Sequence, residues 1–515
     1  MNLMMLLEMA ASTAPDRVAI GDATTGMTYA QLMDLAGSAA AVWKANSAER
    51  VLYSDISTPA LPVALFGASW AGLPFVPVSY RLADDRLRRI IERQSPAILL
   101  HSDADGYRTA GIHEVSQQTT GEFMATAGAG SPADPEWSYD EDDIAILLHT
   151  SGTSGEPKVA VLRQKHLVSY VLGSVEFLGA GEDEATLVSV PPYHIAGMAA
   201  ILTAVYGGRR LYQLPAFEPG EWVRTVREQN ITHAMVVPTM MGRILDVLAD
   251  GQGLPSLRHL SYGGGRMPIP VIEHAMRVLP HVNFVNAYGL TETSSSISVL
   301  GPDDHRAAVA SDDPAIQARL GSVGQPLPTV EITIRDADGA EVGVGESGEV
   351  WVRGEQVSGE YGHTNALASE GWFATRDGGY IDADGYLFVT GRMDDVIVRG
   401  GENLSPGEIE DVLINHPTVS EACVVGLPDT EWGEIVAAVV VPTGESTIDP
   451  DELRAWVASQ LRSSRAPAII EVRSELPYND TGKVLRRVLK AELATDLTGK
   501  DFNSIHFYCQ FWIFS

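Results

Sequence analysis

The chain has 515 residues, of which 45% are hydrophobic, and such a length and composition are typical of a globular protein of two to four domains. Its formal net charge of −31 disfavours a nucleic-acid-binding role, because an acidic surface repels phosphates. The two cysteines, Cys423 and Cys509, suit neither a disulfide framework nor a zinc site, which predicts a reducing, cytoplasmic location.

An uncharged stretch, 60–78, is long enough to raise the question of a membrane span. It contains Pro62, Pro74 and Pro77, which interrupt a continuous helix. We therefore expect a buried helix followed by a buried strand, and no transmembrane segment.

Short β-rich apolar runs alternate with helix-length segments over the first part of the chain. This alternation predicts an α/β fold with parallel sheets flanked by helices. The clearest predicted strands are 97–100, 144–148, 186–190, 233–237 and 284–286.

From about residue 331 the pattern changes to strands joined by turns, which predicts a small antiparallel β unit. A smaller α+β domain follows, with a helix starting at Ser405-Pro406, because serine is a good N-cap and proline a good first residue. The remaining predicted elements are strands 331–335, 348–352, 386–390, 422–425 and 435–441, and helix 450–461.

We expect three regions along the chain. Residues 1–393 form the large N-terminal domain, and residues 394–501 form a small, mobile C-terminal domain. Residues 502–515 are an aromatic tail to which we assign no function.

The strongest local motif is the loop TSGTSGEPK at 150–158, which follows a predicted strand. Glycines and short hydroxyl side chains allow backbone amides to surround a phosphate, and a lysine adds positive charge. The loop lacks the spacing of a P-loop, and a solvated surface loop is the alternative. The candidate phosphate-binding residues are Thr150, Ser151, Gly152, Thr153, Ser154, Gly155 and Lys158.

Other motifs each have a functional and a structural interpretation. The segment YGLTET at 288–293 places a hydroxyl beside a carboxylate, which suits phosphate and Mg²⁺, or it starts a capped helix. His194 is either functional or a core histidine, and Lys483 is either catalytic or an exposed turn lysine. The segment GVGESG at 343–348 matches a dinucleotide-binding pattern but precedes a strand, which favours a turn.

The order and spacing of these motifs resemble the adenylate-forming superfamily of acyl-CoA synthetases, peptide-synthetase adenylation domains and beetle luciferases. The resemblance covers nearly the whole chain, from about residue 14 to about residue 491. It implies a ligase that uses ATP, CoA, a small carboxylic acid and Mg²⁺ to form an acyl-adenylate and then a CoA thioester. Two alternative functions stay open: an acyl-AMP ligase that loads a carrier protein, and a catalytically silent ATP-binding homologue. A homodimeric assembly also stays open.

The resemblance also implies roles for single residues in the reaction. Lys483 matches the catalytic lysine, Thr291 the phosphate-binding threonine, and Glu292 the Mg²⁺-binding glutamate. Asp377 and Arg392 match the ribose-binding pair, although the family usually has glycine where this chain has Arg376. Tyr288 matches the ring that stacks on adenine, and Gly263, Gly264 and Gly265 complete the predicted ATP site.

The same resemblance implies candidate residues for an acyl site and a CoA site. Acetyl-CoA synthetases have a tryptophan where this chain has Gly289, so we expect a pocket for a medium-chain or aromatic acid. The segment 193–198 has no acidic residue, which argues against amino acid substrates. Candidate acyl-binding residues are Tyr193, His194 (also a catalytic candidate), Met198, Thr239, Met240, Tyr262, Gly289 and Ser294. Candidate CoA-binding residues are Gly400, Gly401, Trp432 and Arg465, and Asp394 is the predicted hinge.

Overall fold

The computed structural model describes residues 1–150, 158–248, 253–362, 364–444, 446–479 and 482–499. Contacts divide the chain into two compact units. The first comprises Met1–Thr333, Trp351–Thr375 and Asp384–Leu387, and the second comprises Ile334–Val350, Arg376–Ala383 and the chain from Phe388 onward. The predicted domain limits at 393 and 501 stay predictions.

The helices are α1 Leu3–Thr13, α2 Tyr29–Lys44, α3 Ala60–Ala71, α4 Asp84–Glu92, α5 Gly106–Thr109, α6 Thr120–Ala129, α7 Gln164–Ser174, α8 Ile195–Gly207, α9 Pro219–Glu228, α10 Pro238–Val247, α11 Ile269–Val278, α12 Pro302–Ala310, α13 Pro314–Ala318, α14 Pro406–Ile414, α15 Pro450–Gln460 and α16 Arg486–Gly499. The strands are β1 Val18–Ile20, β2 Met27–Thr28, β3 Val51–Ser54, β4 Phe75–Pro77, β5 Ala97–His101, β6 Val115–Thr119, β7 Ile144–Thr150, β8 Lys158–Arg163, β9 Ala185–Val188, β10 Arg210–Gln213, β11 His233–Val236, β12 His259–Gly263, β13 Asn283–Leu290, β14 Ser295–Leu300, β15 Gln325–Pro326, β16 Val330–Arg335, β17 Gly348–Gly354, β18 Glu360–Tyr361, β19 Thr364–Asn365, β20 Phe373–Ile381, β21 Leu387–Arg392, β22 Ile397–Arg399, β23 Glu402–Leu404, β24 Val419–Asp429, β25 Gly433–Pro442 and β26 Ile469–Val472.

Two large mixed sheets form the framework of the first unit. One has the order β15-β14-β13-β12-β11-β9-β10-β1-β2, and the other has the order β19-β18-β8-β7-β4-β3-β5-β6. Their inner strands pair in parallel, as the alternation of strands and helices predicts, whereas β14 and β8 add antiparallel partners.

The uncharged stretch 60–78 forms α3 and then β4, as predicted. Every residue of α3 from Ala60 to Trp70 is buried, because this helix is apolar on all sides and packs inside the first unit. Gly72 ends α3 in the left-handed conformation with φ of 73°. No helix in the described part of the chain is long and apolar enough to span a bilayer.

The second unit contains a sheet of order β23-β22-β25-β24, with β26 paired in parallel to β25. Helices α14 and α15 contribute Leu413 and Val457 to one buried cluster of this unit, and α16 contributes Leu489 to another. Helix α14 begins after Ser405 as predicted, but the Ser405 hydroxyl donates to the Thr390 carbonyl oxygen rather than capping the helix.

The predicted antiparallel unit corresponds to a four-stranded sheet of order β16-β17-β20-β21. Residues 343–347 form a turn before β17, which confirms that the glycine pattern is not a nucleotide motif.

Candidate active site

Four predicted site segments follow the carboxyl ends of adjacent strands in the first sheet. Strands β13, β12, β11 and β9 lie side by side, and their ends lead to Glu292, Gly264, Thr239 and His194, respectively. The carboxyl edge of parallel strands is the usual place for ligand binding in α/β proteins, because the loops that leave it converge. The topology therefore brings the predicted nucleotide and acyl segments to one edge.

The turn that carries Glu292 is fixed by buried polar contacts. Residues Thr291–Thr293 form one turn of 3₁₀ helix, and the Thr293 hydroxyl donates to the Ser295 carbonyl oxygen at 2.8 Å. The buried amide of Gln356 donates to the carbonyl oxygens of Thr293 and Ser296, at 3.0 and 2.8 Å. Ser294 has a φ of 55°, which such contacts can hold in place. Gln356 lies 63 residues from Thr293, so no local pattern indicates its role.

Glu292 itself is held from two sides. Its backbone carbonyl oxygen accepts from the Ser358 amide at 2.8 Å, and its Oε1 accepts from the Tyr361 hydroxyl at 2.5 Å. Within the described ranges, no group of three or more His, Cys, Asp or Glu side chains is arranged to hold a metal. A single carboxylate suits Mg²⁺, which commonly uses one or two carboxylates together with substrate phosphates and water.

The glycine- and hydroxyl-rich loop begins and ends on a β-hairpin. Strands β7 and β8 are antiparallel, Thr150 is opposite Lys158, and the Thr150 hydroxyl donates to the Lys158 carbonyl oxygen at 3.3 Å. The Lys158 ammonium lies 5.1 Å from the centre of the Tyr361 ring. The predicted phosphate contacts Ser151, Gly152, Thr153, Ser154 and Gly155 lie outside the described residues.

The structure contradicts part of the predicted acyl pocket. Met198, Tyr262 and Ser294 have no exposed surface, so they line no cavity large enough for water. The Tyr262 hydroxyl instead pairs with the buried His305 Nε2 at 2.8 Å, and burial raises the pKa of this tyrosine. Met240 is also buried, in the same apolar cluster as Tyr262.

Two glycines of the predicted site serve close backbone packing. An added Cβ at Gly289 would overlap the Ser295 carbonyl oxygen and lie 2.8 Å from the Ser296 Cα. An added Cβ at Gly263 would overlap the Ala287 carbonyl oxygen. This geometry contradicts the expectation that the absent side chain of Gly289 enlarges an acyl pocket, because that side chain would point into β14.

Tyr193, His194 and Thr239 stay candidates for the acyl site. The Tyr193 ring lies 6.0 Å from the Tyr80 ring and 4.9 Å from the His194 ring, measured between ring centres. His194 is the N-cap residue of α8 and is half-buried, as is Thr239. Tyr193 is only 8% exposed, so its ring packs between those of Tyr80, which follows β4, and His194, which follows β9.

The predicted ribose pair meets within the second unit. Arg392 donates to the buried carboxylate of Asp377 at 2.9 Å. The neighbouring Arg376 has a φ of 63°, the left-handed conformation that glycine adopts easily, and its guanidinium pairs with the Asp394 carboxylate at 2.7 Å. The arginine that replaces the family's glycine is therefore tied to the predicted hinge residue.

The predicted CoA residues also lie in the second unit. Gly400 and Gly401 have φ values of 58° and 83°, and the Gly400 amide donates to the Trp432 carbonyl oxygen at 2.7 Å. Arg465 is held by two carboxylates, those of Glu402 and Glu408, so a phosphate would have to compete for it. The nearby Arg462 is 81% exposed and lies 3.8 Å from the Glu402 carboxylate, so it is the more accessible of the two arginines.

The turn that carries Lys483 is closed by backbone and side-chain bonds. The Lys483 amide donates to the Asn479 Oδ1 at 2.8 Å, and the Asn479 amide donates to the Lys483 carbonyl oxygen at 2.9 Å. Three residues later, Arg486 bonds both carboxylate oxygens of Glu410 and the Val424 carbonyl oxygen. Arg486 and Glu410 thus anchor the start of α16, a role that is not visible in the motif itself.

Comparison with known families identifies the family to which this chain belongs. A model described as AMP-binding enzyme matches residues 7–362, and one described as AMP-binding enzyme C-terminal domain matches residues 408–483. The chain belongs to the AMP-binding enzyme family. This result confirms the predicted superfamily, and the similarity to solved structures of adenylate-forming enzymes confirms the predicted fold class.

The similar proteins span nearly the full chain. Feruloyl-CoA synthase of an Amycolatopsis species is 32% identical, with 92% of this chain and 96% of that protein covered. A fatty acid–acyl-carrier-protein ligase of Streptomyces coeruleorubidus is also 32% identical, with coverage of 90% and 91%. The o-succinylbenzoate coenzyme A synthetase of Bacillus subtilis, solved with ATP and magnesium ion, has a TM-score of 0.81 at 27% identity, with coverage of 94% and 99%. Family membership and the CoA-ligase relatives confirm the predicted enzyme class, an AMP-forming acid–thiol ligase.

Proposed function

We propose that this AMP-binding enzyme joins a carboxylic acid to coenzyme A through an acyl-adenylate. The observation that carries the proposal is the position of Glu292 at the carboxyl edge of the first sheet. Its carboxylate accepts a hydrogen bond from Tyr361, and the ring of Tyr361 contacts Lys158 at the end of the glycine-rich loop. A metal-binding carboxylate and a phosphate-binding loop are the parts that activation of ATP requires. The CoA-ligase relatives support CoA as the acceptor.

In the first step, an oxygen of the substrate carboxylate attacks the α-phosphorus of ATP and pyrophosphate leaves. Negative charge accumulates around phosphorus, so catalysis depends on fixed positive groups and on positioning. We assign Lys483 to the α-phosphate and the substrate carboxylate, and Thr291 and Lys158 to the phosphates. Mg²⁺, when bound, would neutralise phosphate charge, and Glu292 is its proposed ligand.

We assign the remaining nucleotide contacts to Tyr288, Asp377 and Arg392. The ring of Tyr288 would stack on adenine, and Asp377 and Arg392 would hold the ribose hydroxyls. Their mutual ion pair holds the Asp377 carboxylate in one orientation, which supports this assignment. His194 is a candidate for holding the acyl group next to the nucleotide.

In the second step, the CoA sulfur attacks the acyl carbonyl carbon, the thiol loses its proton, and AMP leaves. The pantetheine arm needs the space beside the acyl group, so Lys483 has to withdraw. We propose that rotation about Asp394 brings the Gly400–Gly401 segment there instead, a hinge motion of the kind that gates turnover.

The CoA path gives a direct test. Gly401→Leu should abolish thioester formation from a supplied acyl-adenylate, because only glycine leaves room for close approach of a ligand. It should leave acid-dependent ATP–pyrophosphate exchange within about twofold of the wild type. Gly339→Leu is the matched control: Gly339 has a φ of 84°, like the 83° of Gly401, and an added Cβ meets nothing within 4 Å at either site. If Gly401→Leu makes thioester as fast as Gly339→Leu, the path does not run past residue 401.

For the acid, we propose a medium-chain or aromatic substrate and rejection of amino acids. Tyr80, after β4, and the largely buried Tyr193, after β9, pack their rings together and supply an aromatic wall at this edge of the fold, and the feruloyl-CoA synthase relative supports an aromatic acid. Because each buried methylene contributes about 10–200-fold in discrimination, octanoate or a cinnamate should exceed acetate in kcat/KM by at least about tenfold. Acid-dependent AMP release with ATP, Mg²⁺ and CoA measures this directly. A wild-type preference for acetate or an amino acid over every larger acid contradicts the proposal.

A second acceptor is supported by one specific observation. The fatty acid–acyl-carrier-protein ligase relative covers 90% of this chain. The alternative function is therefore transfer of the acyl group to the phosphopantetheine thiol of a carrier protein, which uses the same first step. Comparing CoA with a phosphopantetheinylated carrier protein as acceptor distinguishes the two.

A further inference from the structure

Tyr361 lies between the two parts of the proposed phosphate site. Its hydroxyl donates to Glu292 Oε1 at 2.5 Å, and the Lys158 ammonium lies 5.1 Å from the centre of its ring. One side chain therefore contacts both the carboxylate assigned to the metal and the lysine at the end of the glycine-rich loop. Neither contact is evident from sequence, because Tyr361 is 69 residues from Glu292.

The backbone around Tyr361 is fixed to the same two elements. Tyr361 pairs with Ala160 of β8, and the Gly362 amide donates to the Val159 carbonyl oxygen at 3.0 Å. On the other side, the Ser358 amide donates to the Glu292 carbonyl oxygen at 2.8 Å. The 358–362 segment therefore joins the loop hairpin to the Glu292 turn.

An adjacent ion pair holds this segment further in place. The carboxylate of Glu360 forms two hydrogen bonds with the Arg163 guanidinium, at 2.8 and 2.9 Å. Both side chains are less than one-third exposed, and paired bonds of this type define orientation as well as distance. Tyr361 therefore has little freedom to leave Glu292.

We propose that Tyr361 is a positioning residue for the adenylation step, and this inference rests on the proposed function. Its hydroxyl orients the Glu292 carboxylate so that Oε2 can bind the metal that accompanies ATP. Its ring holds the Lys158 ammonium by a cation–π contact, which places that charge at the base of the phosphate loop. Partners that orient a metal ligand typically change metal affinity by about 10–100-fold when removed.

Two substitutions separate the contacts of the hydroxyl from those of the ring. Tyr361→Phe removes the hydroxyl and keeps the ring that faces Lys158, whereas Tyr361→Leu removes both. Tyr139→Phe is the control, because Tyr139 is 66% exposed and lies outside the site. Binding of Mn²⁺ in the presence of α,β-methylene-ATP, followed by electron paramagnetic resonance, reports on the metal without turnover. ATP-analogue binding in EDTA, followed by calorimetry, reports on the phosphate loop.

Tyr361→Phe should weaken Mn²⁺ binding by about 10–100-fold and leave analogue binding in EDTA unchanged. Tyr361→Leu should also weaken analogue binding in EDTA by about two- to fivefold, the value of an exposed cation–π contact. Both variants should convert a supplied acyl-adenylate to thioester at the wild-type rate, since that step uses neither contact. Unchanged Mn²⁺ affinity in Tyr361→Phe, or equal losses in both half-reactions, would overturn the proposal. If wild-type protein forms no acyl-adenylate with any acid, the proposed function fails, while Mn²⁺ binding still decides the role of Tyr361.

Discussion

Lys483→Ala should reduce acid-dependent ATP–pyrophosphate exchange by at least about 10²–10³-fold, the typical effect of removing a main group that stabilises transition-state charge. The same variant should convert a supplied acyl-adenylate to thioester at close to the wild-type rate, because we assign Lys483 only to the first step. The bonds that close its turn use the backbone and Asn479, so alanine should leave the turn intact.

Lys490→Ala provides the control for this prediction. Lys490 lies on α16 and pairs with Glu434 at 2.9 Å, so the control also removes a lysine from the second unit. It should change neither half-reaction by more than about fivefold, since half-exposed ion pairs contribute only about 0–1 kcal/mol. A Lys483→Ala variant that adenylates like the Lys490→Ala control would refute the assignment.

Asp394→Pro should separate the two half-reactions most strongly. Met393–Asp395 form one turn of 3₁₀ helix, and a proline at 394 fixes φ at this residue and restricts the backbone of Met393. We expect acid-dependent exchange to persist and thioester formation to fall by about 10²-fold, which corresponds to the roughly 3 kcal/mol that a misplaced proline costs. Rapid-quench measurement of each half-reaction on the purified variant tests this expectation.

Asp394→Ala distinguishes backbone restriction from loss of the side chain. It removes the ion pair with Arg376 but leaves the backbone free to rotate. Because both partners are well exposed, we expect at most about a fivefold change in either half-reaction. Equal and large losses in the alanine and proline variants would show that the carboxylate, and not rotation about residue 394, is what turnover requires.

The parts of the fold that were predicted from sequence are those set by local patterns. Prolines and glycines in the 60–78 stretch indicated α3 and β4, and Ser405-Pro406 indicated the start of α14. The strand predicted directly after residues 343–347 indicated that these residues form a turn. Each of these features depends on residues within one or two turns of chain, where propensity and backbone geometry are decisive.

The predicted acyl pocket was less reliable because burial depends on distant partners. Tyr262 looks like a pocket residue next to three glycines, but it bonds His305, which is 43 residues away. Gly289 suggested open space, yet its missing side chain would point into the neighbouring strand. Tyr361 and Gln356 were missed for the same reason, since their contacts with the Glu292 turn join segments more than 60 residues apart.

The central claim is AMP-forming ligation of an acid to CoA, and the stoichiometry of one complete turnover tests it most directly. Full-length protein would be incubated with ATP, Mg²⁺, CoA and the best acid of the panel, and AMP, pyrophosphate and thioester would be quantified together. We expect equal amounts of the three products, and pyrophosphate exchange without thioester when CoA is omitted. Formation of ADP and phosphate in place of AMP and pyrophosphate, or thioester only on a carrier protein and never on CoA, would contradict the account.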